Sequence, residues 1–342
     1  MRNKILALFE SIKAGLDDNF LSRVLYTIYL FDFMDRLRMQ GFPPDWYAML
    51  EKELNGLAAT THFLRDAFET SGNTFAVWQR EATADDIQAR TGEVYYKLWK
   101  NFSKEEYYAQ TYALLEERFR KNGISVTGTE KALDDGCGGG RYTLALKKLG
   151  CAQVVGIDVS PNSIALAREM TPYPTEEVDF VNGSVLTLPF ATEDFDFVFS
   201  NGVLHHTYST ETGLSEIYRV LRRGGRCWLY LYGGKESFFW DVVDFCRSLL
   251  FDLVPQHYTQ AVMKAMGYPP GRIFHRSDFF YVPINNRYFA AEVEAMLRQT
   301  GFSDFRRLHR GAEHDWDEIL HNNPHIDPYI YGEGEMRYLL SK

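Results

Sequence analysis

The feature that most constrains the fold is the stretch KALDDGCGGGRYTLALKKLG at residues 131–150. A short apolar run enters a turn with glycines at four of the five positions 136–140, and a helical pattern follows until Gly150. Glycine permits positive φ angles and lets a ligand approach the backbone closely. A strand, a glycine turn and a helix in this order predict a ligand cradle within an α/β fold.

From residue 131 onwards, short strand-like runs alternate with helical patterns, which is typical of a parallel sheet covered by helices. The strands are predicted at 132–135, 152–158, 178–181, 195–202, 226–233, 302–308 and 335–341. A helical stripe of Leu214, Ile217, Tyr218 and Leu221 is predicted to end at Gly224 and Gly225. The fold class is therefore α/β, a Rossmann-like, seven-stranded, mostly parallel, doubly wound sheet.

Two other regions lack this alternation. Residues 1–90 have apolar positions three and four apart and predict a helical N-terminal extension, which would cap the acceptor site or form a homodimer. Residues 91–342 would form the α/β domain, interrupted at about 234–285 by an aromatic, irregular insertion that we interpret as a cap. Within this insertion, an amphipathic helix is predicted at 237–254.

Charge and cysteine content narrow the function classes. A formal net charge of -9 argues against a nucleic-acid-binding surface, which usually carries a basic stripe. The four cysteines have no metal-ligand spacing, so no metal site and a reduced, cytoplasmic protein are expected. We expect no signal peptide and no stable membrane insertion, because no apolar run reaches the roughly 18 residues of a membrane span.

The spacing of the polar residues discriminates between ligands. A nicotinamide dinucleotide fingerprint, G-x-G-x-x-G, would require a glycine where Arg141 stands. Asp158 ends the second predicted strand, where a carboxylate can accept hydrogen bonds from ribose hydroxyls. The fourth predicted strand opens into the polar loop SNGVLHHT at the same sheet edge, where open α/β sheets bind ligands.

Together these motifs resemble the class I S-adenosylmethionine-dependent methyltransferases with an L-D-x-G-C-G-x-G first motif. The matching residues are Leu133, Asp134, Gly136, Cys137, Gly138 and Gly140, followed by Asp158. The segments SNGVLHHT (200–207) and EIYRVLRRGGR (216–226) then occur in the order typical of the family.

The resemblance implies S-adenosyl-L-methionine as the cofactor and assigns its contacts. Asp134 and the turn residues around Cys137 would hold the methionine end, and Asp158 with Val159 the ribose. The adenine would be bordered by Gly183, Ser184 and Val185, and Asn201, Gly202 and Val203 would pass beneath the cofactor. Two positions depart from the family pattern: Asp135 replaces an apolar residue, and Ser184 replaces an aspartate that usually meets the adenine amino group.

His205 and His206 follow the fourth strand and are the catalytic candidates, because histidine exchanges protons near neutral pH. Either could act as the general base, with His205 as the preferred candidate, or the pair could orient the loop by hydrogen bonds. Tyr230, Tyr232, Trp240 and His275 are candidates for acceptor binding, with packing or loop hydrogen bonding as the alternative. Tyr95, Tyr96 and Trp99 would cover the cofactor or pack in the core.

The predicted function is methyl transfer by in-line displacement to the O, N or S atom of a small-molecule acceptor. A protein or RNA methyltransferase is one alternative, and enzymes that methylate base or glutamine amides usually carry a [D/N/S]-P-P-[Y/F/W] motif where this chain has Ser200-Asn201-Gly202-Val203. A nicotinamide-dependent oxidoreductase on a Rossmann-like fold is another, and the missing glycine at Arg141 counts against it.

Overall fold

The computed structural model describes residues 1–16, 19–70, 87–99, 104–302, 304–322, 324–325 and 327–342. Its strands are β1 Lys131–Asp135, β2 Gln153–Asp158, β3 Val178–Asn182, β4 Phe195–Asn201, β5 Leu221–Leu231, β6 Asp304–Arg307 and β7 Met336–Ser341. Its helices are α1 Arg2–Gly15, α2 Phe20–Gln40, α3 Trp46–Thr70, α4 Ile87–Trp99, α5 Lys104–Lys121, α6 Arg141–Leu149, α7 Pro161–Met170, α8 Thr210–Val220, α9 Phe238–Leu250, α10 Gln256–Ala265, α11 Pro270–Tyr281, α12 Ala290–Thr300, α13 Trp316–Asn322 and α14 Asp327–Tyr331.

The seven strands form one sheet in the order β3-β2-β1-β4-β5-β7-β6. Strands β1 to β5 run parallel, and β7 pairs antiparallel with both β5 and β6. This arrangement confirms the predicted seven-stranded, mostly parallel sheet. The carboxyl ends of β1, β2, β3 and β4 consequently meet at one edge.

Alternating strand residues face two apolar layers, because successive side chains point to opposite faces of a sheet. Ala132 belongs to the layer that contains α5 and α6, whereas Leu133 belongs to the layer that contains α8 and α12. By the same alternation, the Asp134 side chain points towards α6 and the Asp135 side chain towards α8.

Local sequence signals explain where several helices begin and end. The Ser160 hydroxyl accepts a hydrogen bond from the Ser163 N–H and caps α7, whose first residue is Pro161. Gly150 and Gly301 end α6 and α12 with positive φ angles of 118° and 113°, which side-chain-bearing residues rarely adopt.

The boundary between α8 and β5 differs from the prediction. Helix α8 ends at Val220, and Leu221 already pairs with Phe195 of β4, so Gly224 and Gly225 lie within β5 rather than ending the helix. The pairing of β4 with β5 shifts register between Phe195 and Phe197. The long-range strand pairing thus overrides the helical periodicity of Leu221.

The described chain divides into two compact units. The sheet unit comprises Ala84–Lys235, Val282–Pro324 and Tyr331–Lys342, and the helical unit comprises Met1–Thr83, Glu236–Tyr281 and His325–Ile330. Residues 17–18 and 71–86 of the predicted extension lie outside the described residues.

The helical unit joins α1–α3 to α9–α11. Phe9 of α1 stacks on Phe245 of α9 with ring centroids 4.5 Å apart, and Arg2 donates two hydrogen bonds to the Asp241 carboxylate. The amphipathic helix predicted at 237–254 is confirmed by α9, whereas the prediction that the rest of 234–285 is irregular was wrong, since α10 and α11 occupy much of it. Among the described residues, no helix is both long enough and apolar enough to cross a bilayer.

Candidate active site

The glycine turn after β1 is built on positive φ angles of 84°, 53° and 84° at Gly136, Gly138 and Gly140. A Cβ at Gly136 would lie 2.5 Å from Val203 side-chain carbons, and one at Gly140 would lie 2.8 Å from the Phe180 ring. Only glycine fits at these two positions, because both the backbone conformation and the available space exclude a side chain.

Asp134 lies at the start of this turn and is 2% exposed. One of its carboxylate oxygens accepts a 2.6 Å hydrogen bond from the Thr143 hydroxyl on α6. Burial raises the pKa of Asp134 to about 7, although the Thr143 hydrogen bond counteracts part of the shift. A cationic group bound beside Asp134 would favour its ionised form. Thr143 was missed by the sequence reasoning; its position in the first turn of α6 is the only signal for it.

Asp158 joins the end of β2 to the glycine turn. Its carboxylate accepts hydrogen bonds from the Gly138 N–H at 2.9 Å and the Ser160 N–H at 2.8 Å. Burial raises the pKa of Asp158, and these two N–H donors oppose the rise. The Asn182 amide donates to the carbonyl oxygens of Asp158 and Val159 at 2.9 and 3.0 Å, which holds the ends of β2 and β3 together.

The loop after β3 contains the residues predicted to border the adenine. The Gly183 N–H donates to the Asp158 carbonyl at 3.0 Å, which places this loop beside the second strand. The Ser184 hydroxyl accepts from the Leu186 N–H, and Val185 is 8% exposed and packs in the apolar layer beneath α8. The adenine contacts stay a prediction.

Cys137 contributes its backbone to the turn, while its side chain is buried. The thiol packs with Ile164, Ala167 and Phe180, and a Cβ at Gly156 would lie 2.9 Å from its sulfur. Burial raises the pKa of Cys137 well above the usual value for a thiol. The thiol is therefore a packing group in an unreactive, neutral form.

The loop after β4 packs directly against the glycine turn. Val203 occupies the space beside Gly136, as described above, and Gly202 donates its N–H to the Tyr230 carbonyl at 3.1 Å. The Asn201 side-chain oxygen accepts from the Trp228 indole N–H at 3.0 Å. The predicted residues of the first and fourth strands are thus brought together at one sheet edge.

His205 is fully buried in a short 3₁₀ turn, Leu204–His206, after β4. The Tyr232 backbone N–H donates to its Nδ1 at 3.1 Å, and the two rings stack with centroids 3.7 Å apart. Burial and then the neighbouring His206 lower the pKa of His205 well below its usual value. Among the described residues its Nε2 has no hydrogen-bond partner, a situation that costs about 1–3 kcal/mol in a buried site.

His206 is 5% exposed and contacts a different backbone group. Its Nδ1 lies 2.7 Å from the carbonyl oxygen of Ile284. The rings of His205 and His206 are 4.2 Å apart between centroids, and the Tyr95 ring approaches the edge of His206 at 5.9 Å. Tyr95 thus lies beside the histidine pair; the side chain of Trp99, also predicted as part of an aromatic cover, lies outside the described residues.

A segment of residues 283–289, which we name the strap, fastens the histidine turn. The Asn286 backbone N–H donates to the His205 carbonyl at 2.9 Å, and the Asn286 side-chain amide donates to the Thr207 carbonyl at 3.2 Å. The Tyr288 N–H donates to the Tyr232 carbonyl at 3.0 Å. The strap was missed by the sequence reasoning, because nothing in the sequence pairs residues that lie so far apart along the chain.

Tyr230 at the end of β5 is tied to a buried ionic cluster. Its hydroxyl donates to Glu335 at 3.1 Å, and the Arg337 guanidinium lies 4.7 Å from its ring centroid. Burial and the nearby Glu335 carboxylate raise the pKa of Tyr230 well above its usual value. Tyr230 therefore remains a neutral hydroxyl, positioned by Glu335.

Asp135 stands where the family usually has an apolar residue, and its surroundings in the structure are unusual for a carboxyl group. It is fully buried on the α8 face, and neither carboxylate oxygen has a hydrogen-bond partner among the described residues. Burial raises its pKa to about 8, and the carboxyl groups of Asp134 and Glu216 add to the shift. Asp135 is consequently protonated in most molecules at neutral pH.

Trp240 and His275, also predicted to bind the acceptor, belong to the helical unit. Trp240 of α9 is 1% exposed and packs against Phe239 and Phe279. His275 of α11 is exposed beside Phe274. Within the sheet unit, the structure brings together the predicted residues that follow β1 to β5.

The polar groups at this edge of the sheet suit S-adenosylmethionine as a ligand. The buried carboxyl group of Asp134 and the half-buried one of Asp158 flank the glycine turn. An anionic environment favours a sulfonium and an ammonium over the phosphates of a dinucleotide. Asp134 and the turn would hold the methionine end, and Asp158 the ribose.

This chain is similar in sequence to several methyltransferases. An uncharacterized methyltransferase of Synechocystis sp. is 35% identical over 115 residues, 32% of this chain and 52% of that protein. The O-methyltransferase cnsE of Penicillium expansum is 31% identical over 140 residues, 40% of this chain and 49% of that protein. The chain thus spans about half the length of these two relatives. A solved methyltransferase structure from Mesorhizobium loti, 14% identical, covers 70% of this chain and 98% of its own with a TM-score of 0.43.

The demethylmenaquinone methyltransferase of Staphylococcus aureus is 32% identical over 180 residues, which are 48% of this chain and 73% of that protein. A family model described as a methyltransferase domain matches residues 133–229, from β1 into β5. With this extent of similarity and the site geometry above, the chain belongs to the class I S-adenosylmethionine-dependent methyltransferases.

Proposed function

We propose that this protein transfers the methyl group of S-adenosylmethionine to a small-molecule acceptor. The observation that carries the proposal is the arrangement at one sheet edge. The carboxyl groups of Asp134 and Asp158 flank the positive-φ glycine turn, and the buried histidine pair follows β4 beside it. The cofactor supplies an electrophilic methyl group, and the chain supplies the residues that orient both reactants.

Alignment is the main contribution expected from the chain. Holding two reactants in line replaces a bimolecular encounter and is worth up to about 7–11 kcal/mol in well-oriented systems. Asp158 is held by two backbone N–H groups and Asp134 by a hydroxyl, so both carboxyl groups are fixed before a ligand arrives. The histidines supply polar groups for the acceptor.

A small acceptor is supported by two lines of reasoning. One relative is named for demethylmenaquinone and another is an O-methyltransferase, and both names fit small molecules. The net charge of -9 disfavours nucleic acid as the substrate. We further propose a cytoplasmic homodimer, from the reduced cysteines and the N-terminal helices.

The cofactor is tested by calorimetric titration with S-adenosylhomocysteine and, separately, with NADH. We expect S-adenosylhomocysteine to bind and NADH not to bind. Asp158→Ala should weaken S-adenosylhomocysteine binding about 10- to 100-fold, because hydrogen bonds to a charged carboxylate are lost.

The matched control is Asp304→Ala, which alters an exposed carboxylate on β6. It should leave the affinity unchanged, and circular dichroism should show that both variants are folded. Binding of NADH, or no binding of S-adenosylhomocysteine by the wild-type protein, would refute the proposed function.

A further inference from the structure

We propose that His205 and His206 are held in opposite neutral tautomers and together recognise a hydroxyl group on the acceptor. His205 donates a hydrogen bond to the hydroxyl oxygen, and His206 removes its proton. This inference rests on the proposed methyl transfer and names the class of acceptor.

The tautomer of His205 follows from its backbone partner. A backbone N–H can only donate, so the Nδ1 atom that receives the Tyr232 N–H must carry a lone pair. In a neutral ring the proton then lies on Nε2. Since Nε2 is buried and has no hydrogen-bond partner among the described residues, it is a donor available to a bound ligand. His205 therefore cannot be the base, which reverses the order suggested by the sequence.

The tautomer of His206 is the opposite one. The carbonyl oxygen of Ile284 can only accept, so Nδ1 of His206 must carry the proton, at 2.7 Å. The neutral ring then has its lone pair on Nε2, which can accept a proton. The strap thus prepares His206 as a base, in the way that a carboxylate or carbonyl commonly fixes a catalytic histidine.

A donor and an acceptor side by side match a hydroxyl better than other methyl acceptors. A hydroxyl oxygen has one proton and two lone pairs. One lone pair can receive the His205 Nε2–H while the other attacks the methyl group, and the proton faces His206. An amine nitrogen has a single lone pair, which methyl transfer uses, and a thioether has no proton to remove.

The closeness of the two rings is compatible with a shared oxygen. The ring centroids are 4.2 Å apart. Two hydrogen bonds of about 2.8 Å can bridge nitrogens up to roughly 5 Å apart.

The step balances without a further reactant. The oxygen lone pair forms the new O–C bond, the S–C bond breaks with its electron pair remaining on sulfur, and the O–H proton passes to Nε2 of His206. The resulting imidazolium keeps its Nδ1–H hydrogen bond to Ile284 and later releases the proton to solvent. His205 is neutral throughout and remains a donor.

The tautomers are measured directly by NMR of protein with ¹⁵N-labelled histidine, saturated with S-adenosylhomocysteine. His205→Gln and His206→Asn assign the two sets of signals. We expect a proton on Nε2 and none on Nδ1 of His205, and the reverse for His206. The same tautomer in both rings, or a bare Nε2 on His205, would overturn the inference while leaving cofactor binding, and thus the proposed function, intact.

The acceptor class is tested with phenol as the probe of the loaded protein. Phenol should shift the Nε2 signals of both histidines. His205→Leu should weaken its binding about tenfold, whereas His205→Gln, whose amide can donate from nearly the position of Nε2, should restore binding to within about threefold. If neither histidine responds to phenol, or if Leu and Gln behave alike, the hydroxyl assignment is wrong. Failure to bind S-adenosylhomocysteine would instead refute the proposed function.

Discussion

Asp134 and Asp135 are adjacent carboxyl groups that the strand sends to opposite faces of the sheet. Asp134 accepts a hydroxyl hydrogen bond at the ligand edge, whereas Asp135 is buried in an apolar layer without a hydrogen-bond partner among the described residues. The same residue type therefore has two environments within one strand. Only the first is one that a cationic cofactor could use.

The stability of the protein should decrease as pH rises because of Asp135. Its pKa is about 8 in the folded protein, whereas the pKa of an aspartate in an unfolded chain is about 4. Between these values the folded state holds the additional proton, so the free energy of unfolding falls as pH rises. Asp135→Asn cannot ionise and should reduce this slope by up to about 1.4 kcal/mol per pH unit.

Urea denaturation at several pH values between 5 and 8 measures this slope. Asp304→Asn, on the exposed face of β6, is the control and should retain the wild-type slope. Equal slopes for the wild-type protein and Asp135→Asn would show that Asp135 is not the group that holds the proton.

The sequence predicted the carboxylates of the site but not the hydrogen-bond partners of the two histidines. Asp158 was predicted from its place at the end of the second strand and Asp134 from the family resemblance, and the Gly138 N–H ties Asp158 to the glycine turn that follows Asp134. The contacts of the histidines depend on Tyr232 and Ile284, which are distant in sequence. No local pattern encodes them.

At the scale of elements, a buried ionic cluster links α5, α13, β5 and β7. Arg118 makes two hydrogen bonds to Asp315, and Arg337 lies 3.1 Å from Asp315 and 3.2 Å from Asp317. Burial opposes ionisation of Asp315, but Arg337 and Arg118 outweigh it and lower its pKa. Burial raises the pKa of Asp317 to about 8. With Glu335, which lies beside Arg337, three carboxyl groups share the guanidinium groups of Arg118 and Arg337.

Removing one cation from this cluster should lower the free energy of unfolding substantially. Arg337→Met leaves three buried carboxyl groups with Arg118 alone, and breaking a buried ion pair typically destabilises by about 3–5 kcal/mol. The urea midpoint should therefore fall strongly.

Arg298→Met is the matched control for this change. Arg298 is exposed on α12 and pairs with Glu294 four residues earlier, an interaction worth about 0.3–0.5 kcal/mol. If both variants shift the midpoint to the same small extent, the cluster contributes little to stability.

At the scale of the whole molecule, the proposed homodimer can be tested by light scattering. The helical unit exposes large apolar side chains, with Met39 81% and Phe63 70% accessible, which is consistent with a surface that another subunit covers. We expect a mass of twice the 39.6 kDa chain at micromolar concentration. A mass of one chain at every concentration measured would contradict the dimer.

Sequence alone determined the features that depend on neighbouring residues: the β-α alternation, the glycine turn, the carboxylates at strand ends and the cofactor family. The first three arise from local backbone preferences or short spacing, and the cofactor family is implied by the resemblance of these motifs to known methyltransferases. The tertiary structure decided that α8 ends at Val220, that residues 283–289 fasten the histidines and that Arg337 meets Asp315. It also joined α1–α3 with α9–α11 in one helical unit. These features arise from burial and from hydrogen bonds between distant segments, which exist only once the chain has folded.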